Sequence, residues 1–274
     1  MNNHRAHDYR FLIRRWRAVA RKAGLPLRPL ARAGDYPLFY IRSKALQTSG
    51  GVYISAGIHG DEPAGTEALI SWAEENAERL NRLPLLLLPC LNPWGLINNR
   101  RHDEQGADLN RSFHREDLPI VASVRQLIAP YRFHCALYLH EDYDAQGLYL
   151  YEVAQGRPPW AAALLDAARR HIPIEPRIWV DGRKARAGLI RPRIDMEKYA
   201  RIGFPEALWM RAHHTDRVLT VEAPSEFALE QRILALQAVI DECIRLALNQ
   251  NEDISRPRPG PQPIPRRARS TRDP

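Results

Sequence analysis

The run of residues 85–91, Leu-Leu-Leu-Leu-Pro-Cys-Leu, most restricts the fold because it is apolar throughout. A strand with one face in water alternates apolar and polar residues, whereas a strand covered on both faces does not. This run therefore predicts a strand inside a sheet that has helices on both sides. The fold class that we predict is α/β: a three-layer α/β/α single domain with a mixed, mostly parallel central sheet.

Strand and helix patterns alternate along most of the chain. The predicted strands are residues 38–42, 52–56, 85–91, 136–140, 148–151 and 218–222. The predicted helices are residues 64–80, 119–130, 160–171 and 227–249. Residues 172–212 are rich in Pro, Gly and Arg, and we expect irregular loops or short strands there that line a cleft.

The charge of the chain is concentrated at its two ends. The net charge is +8, of which residues 1–24 carry +6 and residues 255–274 carry +5, so that the body carries −3. We predict a basic amphipathic N-terminal helix packed on the domain at 1–24, a folded body at 25–254 and a disordered Pro/Arg-rich tail at 255–274. A nucleic-acid-binding protein carries a basic stripe on its folded surface, whereas the body of this chain is slightly acidic. No specific nucleic acid partner is therefore expected.

The sequence also predicts the cellular compartment of the protein. No apolar run approaches the roughly 20 residues of a membrane span, and no apolar segment of a secretory signal follows the basic N-terminus. The three cysteines lie in apolar segments and are interpreted as reduced, buried thiols. These features predict a cytoplasmic protein without a transmembrane segment.

Four segments with polar side chains follow or adjoin predicted strands. They contain His59 with Glu62, the stretch from 92 to 111, His140, and Glu222. Ligand sites in open α/β sheets form at the carboxyl ends of the strands. An imidazole and a carboxylate three residues apart supply two of the three protein ligands of a two-His, one-Glu zinc site.

With these residues in view, the chain resembles the zinc carboxypeptidase family of metallopeptidases, in particular its compact bacterial members. The matching motifs are His-x-x-Glu at 59–62, Asn-Pro-x-Gly at 92–95, an Arg-to-Asn-Arg stretch at 101–111, a later single His at 140 and a Glu at 222. They occur in the family's order over roughly residues 50–226. One departure is His-Asp at 102–103, where many members have Thr-Asn. The resemblance implies that residues 25–254 are a zinc carboxypeptidase-like catalytic domain.

The resemblance implies one Zn²⁺ with three protein ligands, His59, Glu62 and His140, and an open position for water. Asp108 would accept a hydrogen bond from the other ring nitrogen of His59 and so fix its tautomer. From the residues alone, His102 and His134 compete with His140 for the third position, and histidine and carboxylate ligands also admit cobalt, manganese or nickel.

The same resemblance implies the roles of five further residues. Glu222 would be the general base, and Arg101 would stabilise the developing oxyanion. Asn110 and Arg111 would bind a substrate carboxylate, because a guanidinium matches a carboxylate with two hydrogen bonds. Tyr199, about 23 residues before Glu222, would be a substrate-capping tyrosine, and this match rests on spacing alone.

The predicted function is that of a zinc-dependent metallocarboxypeptidase, a hydrolase that cleaves an amide bond next to a free carboxylate in a small peptide such as a cell-wall fragment. The alternative is an N-acyl amino acid deacylase that resembles aspartoacylase and succinylglutamate desuccinylase, relatives with the same metal set. A nucleic-acid or membrane-surface binder that acts through the basic ends is a hypothesis of a different class, and an inactive relative that serves as a binding module is another. Oligomeric state and side-chain preference are not readable from the sequence.

Overall fold

The computed structural model describes residues 4–154 and 156–255. Its strands are β1 (Arg28–Ala33), β2 (Tyr36–Arg42), β3 (Val52–Ala56), β4 (Leu85–Leu88), β5 (Cys135–Asp142), β6 (Tyr149–Ala154), β7 (Trp179–Val180), β8 (Arg183–Lys184), β9 (Leu189–Ile190) and β10 (Arg217–Pro224). Its α-helices are α1 (Tyr9–Ala23), α2 (Pro63–Glu75), α3 (Pro93–Asn98), α4 (Pro119–Ile128), α5 (Ala161–Ala168), α6 (Met196–Ile202), α7 (Glu206–His213) and α8 (Leu229–Ser255).

Eight of these strands form one mixed sheet in the order β1-β2-β4-β3-β5-β10-β6-β9. The centre is parallel: β4 with β3, β3 with β5, and β5 with β10. Antiparallel pairs lie toward the two sides, where β2 meets β4 and β6 meets β10. The predicted mixed, mostly parallel sheet is confirmed.

Helices cover both faces of the sheet, which makes three layers. One apolar core lies between the sheet and the helices α1, α2, α5 and α8. A second core lies on the opposite face, where α4 and α7 pack. Every residue of β3 and β4 is buried, as expected for strands covered on both faces. The predicted three-layer α/β/α architecture is therefore confirmed.

Several predicted boundaries differ from the structure. The strand predicted over 85–91 ends at Leu88, because Pro89 has no N–H group to continue the ladder. The stretch 172–212 contains the helices α6 and α7 besides three short strands, so the expectation of loops and short strands was incomplete. The strand β1 and the helix α3 were not predicted.

At the C-terminal end, α8 continues to Ser255 rather than ending near residue 249. Residues 256–274 of the predicted tail lie outside the described residues. The three-part division at residues 24 and 254 stays a prediction.

The N-terminal helix α1 is attached to the body by its apolar face. Trp16 is fully buried there and belongs to the same core as α2 and α8. On the same side, Arg15 pairs with Glu67 and Glu74 of α2. Asp8 caps the start of the helix, and Gly24 ends it in the left-handed conformation at φ 63°. A membrane-surface role for this face would require it to be exposed, and it is buried.

Cys90, Cys135 and Cys243 are free and buried, as predicted. Across the described ranges, none of the helices combines the length and the apolar character that a membrane crossing requires.

Replacing Trp16 with alanine should lower the free energy of unfolding by about 3–5 kcal/mol, because it leaves a large cavity between α1 and the body. Urea unfolding followed by circular dichroism measures this change. Arg10, an exposed residue on the same helix, provides the control, and Arg10→Ala should leave the stability nearly unchanged. Equal stability of the two variants would contradict the packing of α1 described above.

Candidate metal centre

A cleft of about 600 Å³ opens at the carboxyl ends of the parallel strands. The turn from β3 to α2 brings His59 and Glu62 to this edge. Gly57 makes that turn possible with a φ of 63°, a conformation that side chains disfavour. Pro63 then begins α2 at a position where a missing N–H costs nothing, so Glu62 is held directly before the helix.

Backbone contact holds this turn close to the next one. A Cβ atom added at Gly60 would lie only 1.9 Å from the carbonyl carbon of Gly95 in α3. Glycine is therefore required at 60, because the two turns touch through their main chains. Asn92, the N-cap of α3, keeps the second turn in shape by accepting the N–H of Gly95 at 2.8 Å.

Three side chains converge in the cleft. His59 Nδ1 lies 2.6 Å from Oε1 of Glu62, and His140 Nδ1 lies 2.7 Å from Oε2 of the same carboxylate. All three side chains are buried, and one candidate ligand atom from each lies within 4.8 Å of the others. Over residues 4–154 and 156–255, this is the one group of three His, Cys, Asp or Glu residues with such a geometry.

The donor set fits a divalent zinc ion. Two imidazole nitrogens and one carboxylate form the protein part of a common type of catalytic zinc site. With its Nδ1 bound to a cation, His59 would carry its proton on Nε2, and that buried nitrogen faces Oδ1 of Asp108 at 3.5 Å. A carboxylate behind a ligating histidine is the usual way to fix its tautomer.

Part of the chain is similar in sequence to known proteins. Residues 49–143 match the model of the succinylglutamate desuccinylase/aspartoacylase catalytic domain. A probable carboxypeptidase 2 of Trichophyton verrucosum is 28% identical over 100 residues, which is 33% of this chain and 19% of that protein. The match thus spans about a fifth of the length of this curated relative.

Solved structures extend the likeness to nearly the whole fold. A "putative metallopeptidase" of Shewanella amazonensis has a TM-score of 0.77 at 24% identity, covering 88% of this chain and 94% of that one. The chain therefore has the fold of these solved structures. The murein-tripeptide amidase of Escherichia coli O157 shares the fold at a TM-score of 0.55 and 17% identity, over 82% of this chain and 95% of that chain.

The charge balance in this cleft depends on the buried Glu62. Burial acts to raise the pKa of Glu62, but the adjacent His59 and His140 outweigh it and hold the pKa well below its usual range. For His140, burial has the larger effect and lowers the pKa, which favours the neutral imidazole that binds metals. The pKa of His59 is raised, because its carboxylate neighbours outweigh the effect of burial.

Arg101 and Asp108 lie beside the three convergent side chains. The guanidinium of Arg101 donates to Asp108 Oδ2 at 3.0 Å and lies 3.8 Å from Glu62 Oε1. Burial acts to raise the pKa of Asp108, but contact with His59 and Arg101 leaves it well below its usual range. Asp108 thus remains an anion that can orient both neighbours.

The other predicted site residues line the same cleft. Glu222 pairs in register with His140, so both side chains leave the sheet on the same face. Burial, followed by the nearby carboxylates of Glu62, Asp142 and Asp181, raises the pKa of Glu222 well above its usual range. The structure therefore gathers acidic groups where a cation would favour their charged forms.

Asn110, Arg111 and Tyr199 also line the cleft. Arg111 is exposed and donates to the carbonyl of Asn110 at 2.9 Å. The Tyr199 hydroxyl accepts a hydrogen bond from Arg183 at 3.1 Å. Every predicted site residue is thus in the cleft or, for Asp108, directly behind it.

Two histidines considered as alternatives lie elsewhere. His134 precedes β5 and is therefore at the opposite edge of the sheet from His140. His102 is exposed and does not belong to the convergent group.

Sequence reasoning missed part of the cleft wall. Tyr149 and Tyr151 were not among the predicted site residues, but both line the cleft. Their hydroxyls donate to Asp142 at 2.8 Å and to Asp181 at 2.6 Å, respectively. The second contact joins β6 to the turn between β7 and β8, which no sequence pattern indicated.

Glu206, the first residue of α7, is a buried carboxyl group that was also missed. It accepts hydrogen bonds from Tyr53 at 2.5 Å and from Ser55 at 3.1 Å, and its own N–H donates to Asn110 Oδ1 at 3.1 Å. Burial raises its pKa to about 7. Proline followed by an acidic residue at 205–206 is a helix-start signal that could have revealed it.

Replacing Glu206 with glutamine should flatten the pH dependence of stability. The carboxyl group ionises near pH 7 in the folded chain and near pH 4.5 in the unfolded chain, so the unfolded chain holds fewer protons between these values. Wild-type stability should therefore fall as the pH rises through this window, and the variant should lack about 2–3 kcal/mol of that fall. Urea unfolding of both metal-free proteins at pH 5 and pH 8 measures the difference, and parallel profiles would contradict the shift.

Proposed function

We propose that this protein is a zinc-dependent metallocarboxypeptidase that hydrolyses an amide bond next to a free carboxylate. The observation that supports this most is the convergence of His59, Glu62 and His140 in the same cleft as Glu222. The first three would hold one Zn²⁺. When bound there, zinc would act as a Lewis acid and would lower the pKa of a bound water molecule to near neutral.

Glu222 is the general base in this proposal. It would take a proton from the attacking water and later deliver it to the leaving nitrogen. Its partners in the sheet are His140 on one side and Tyr149 on the other, so the main chain of Glu222 is fixed relative to that of His140. A cation in the site would lower the pKa of Glu222 and keep the base ionised.

Arg101 would stabilise negative charge that develops on the scissile carbonyl oxygen. Its hydrogen bond to Asp108 fixes the guanidinium next to Glu62 before any substrate binds. Because the guanidinium is already oriented, it does not lose conformational freedom when the substrate reacts. The same Asp108 faces His59, so it would orient a metal ligand and the oxyanion-stabilising residue together.

Arg111 and Asn110 would bind the substrate carboxylate. Arg111 is accessible from the cleft, and the side-chain oxygen of Asn110 is already occupied by the N–H of Glu206. The amide nitrogen of Asn110 therefore remains the group that can donate to an anion. Tyr199 would close over the substrate, a role proposed from its spacing to Glu222 and its position in the cleft.

The second candidate is an N-acyl amino acid deacylase. It is favoured by the match of residues 49–143 to the succinylglutamate desuccinylase/aspartoacylase catalytic domain. Both reactions use a metal, a base and a carboxylate-binding arginine, so the same residues serve either one. A small cell-wall peptide is a further candidate substrate for the peptidase, since the murein-tripeptide amidase shares the fold.

Two substitutions test the metal ligands and the general base separately. His59→Ala should lose the bound metal, because it removes one of three protein ligands. Glu222→Gln should keep the metal and lower kcat by about 10²–10⁴-fold, because it removes proton transfer. Elemental analysis of the purified proteins, together with peptide hydrolysis assays, measures both effects.

The elemental analysis also identifies the metal as zinc, cobalt, manganese or nickel. His134→Ala is the matched control, because that histidine lies at the other edge of the sheet. Equal metal content in wild type and His59→Ala would reject the proposed metal centre.

The substrate class can be tested with paired compounds. A peptide with a free C-terminus should be cleaved faster than its C-terminal amide, and N-acyl amino acids should react slowly. Arg111→Ala should reduce the preference for the free carboxylate by about 10- to 100-fold, the value of a charge-assisted hydrogen bond. The ratio of kcat/KM values for the two peptides is the measurement. Turnover of N-acyl amino acids alone would support the deacylase and reject the peptidase.

A further inference from the structure

Glu141 follows His140 in β5, and its side chain is completely buried. Its carboxylate has three partners. The N–H of Ala64 donates to Oε1 at 2.6 Å, the hydroxyl of Ser225 donates to Oε2 at 3.2 Å, and Arg232 forms an ion pair with Oε2. One carboxylate thus contacts three separate segments of the chain.

Two of these segments are close to a residue of the proposed site. Ala64 is the second residue of α2 and comes two residues after Glu62. Ser225 comes three residues after Glu222, directly after β10 ends at Pro224. In addition, the main-chain N–H of Glu141 donates to Oε2 of Glu62 at 3.2 Å. Glu141 therefore contacts one proposed ligand directly and is covalently next to another, His140.

We propose that Glu141 is a positioning residue for the metal centre. Its carboxylate holds the start of α2 against the end of β5, and this contact sets the distance between the ligand atoms of Glu62 and His140. The inference rests on the metal centre of the proposed function, and it is independent of which amide is hydrolysed.

The chemistry of the contact requires a carboxylate. The first N–H groups of a helix have no partner within the helix, and negative charge is favourable at that end. Glu141 satisfies the N–H of Ala64 with one oxygen and the cation of Arg232 with the other. A glutamine has a single acceptor oxygen, so one of these two buried donors would lose its partner. The start of α2 would then shift, and Glu62 would shift with it.

A second carboxylate in the chain provides a matched control. Glu152 in β6 is buried, accepts the N–H of Trp160 at 2.6 Å and that of Ala161 at 3.3 Å at the start of α5, and pairs with Arg191 at 3.2 Å. This is the same construction on a helix that carries no proposed ligand. Glu152→Gln therefore reproduces the loss of a helix-start acceptor without touching the metal centre.

The experiment titrates the metal-free full chain with Zn²⁺ and, separately, with Co²⁺. Glu141→Gln should raise the Kd for Zn²⁺ by about 10- to 100-fold, the usual effect of removing a residue that orients a ligand. The visible absorption of bound Co²⁺ should also change, because its coordination geometry changes. Glu152→Gln should retain the wild-type Kd and spectrum even though it loses stability.

A double variant guards against a general loss of folding in Glu141→Gln. Glu141→Leu combined with Arg232→Leu removes both charges of the buried pair, and such replacements are often neutral or stabilising. Its free energy of unfolding should recover, whereas its affinity for Zn²⁺ should stay low, because Ala64 still lacks an acceptor.

Wild-type affinity and Co²⁺ spectra in both Glu141 variants would overturn the inference, as would equal weakening by Glu152→Gln. The variant His59→Ala separates this result from failure of the proposed function. If wild type and His59→Ala bind Zn²⁺ equally, the metal centre is rejected and the positioning role is rejected with it.

Discussion

The two oxygens of the Glu62 carboxylate each face one imidazole, and the geometry of the cleft depends on this shared contact. His59 and Glu62 come from the turn after β3, whereas His140 comes from the end of β5, more than 70 residues later. They meet because β3 and β5 are neighbouring parallel strands whose carboxyl ends reach the same edge. In such a buried place, an anion between two imidazoles is stable only when they remain close, so the sheet must hold both strands in register.

The central layer of this arrangement could be predicted from the sequence because its causes are local. Strands buried on both faces leave continuous apolar runs, and the residues after them are the ones that reach the ligand edge. That reasoning placed His59, Glu62, His140 and Glu222 at one edge of the sheet, and all four line the same cleft. It failed at boundaries that depend on one residue, such as Pro89, and for β1, whose pairing partner determines it more than its own composition.

The wall of the cleft could not be predicted in the same way. It is built from residues 172–212, where β7, β8 and β9 have two residues each and carry no periodic signal. These pieces are held by contacts between distant residues, such as the bond between Tyr151 and Asp181 and the bond between Arg183 and Tyr199. Glu206 could not be predicted for the same reason. Its pKa is raised by burial in the fold, where it contacts Tyr53 and Ser55, and its sequence neighbours give no sign of this.

The contact between Gly60 and Gly95 has a consequence for how the cleft responds to its surroundings. Because their main chains touch with no side chain between them, the segment that carries His59 has no independent room to move. A displacement of α3 would therefore press directly on the main chain beside His59. Any side chain at residue 60 would separate the two turns, and residue 95 has no room for one either, although neither glycine carries a functional group.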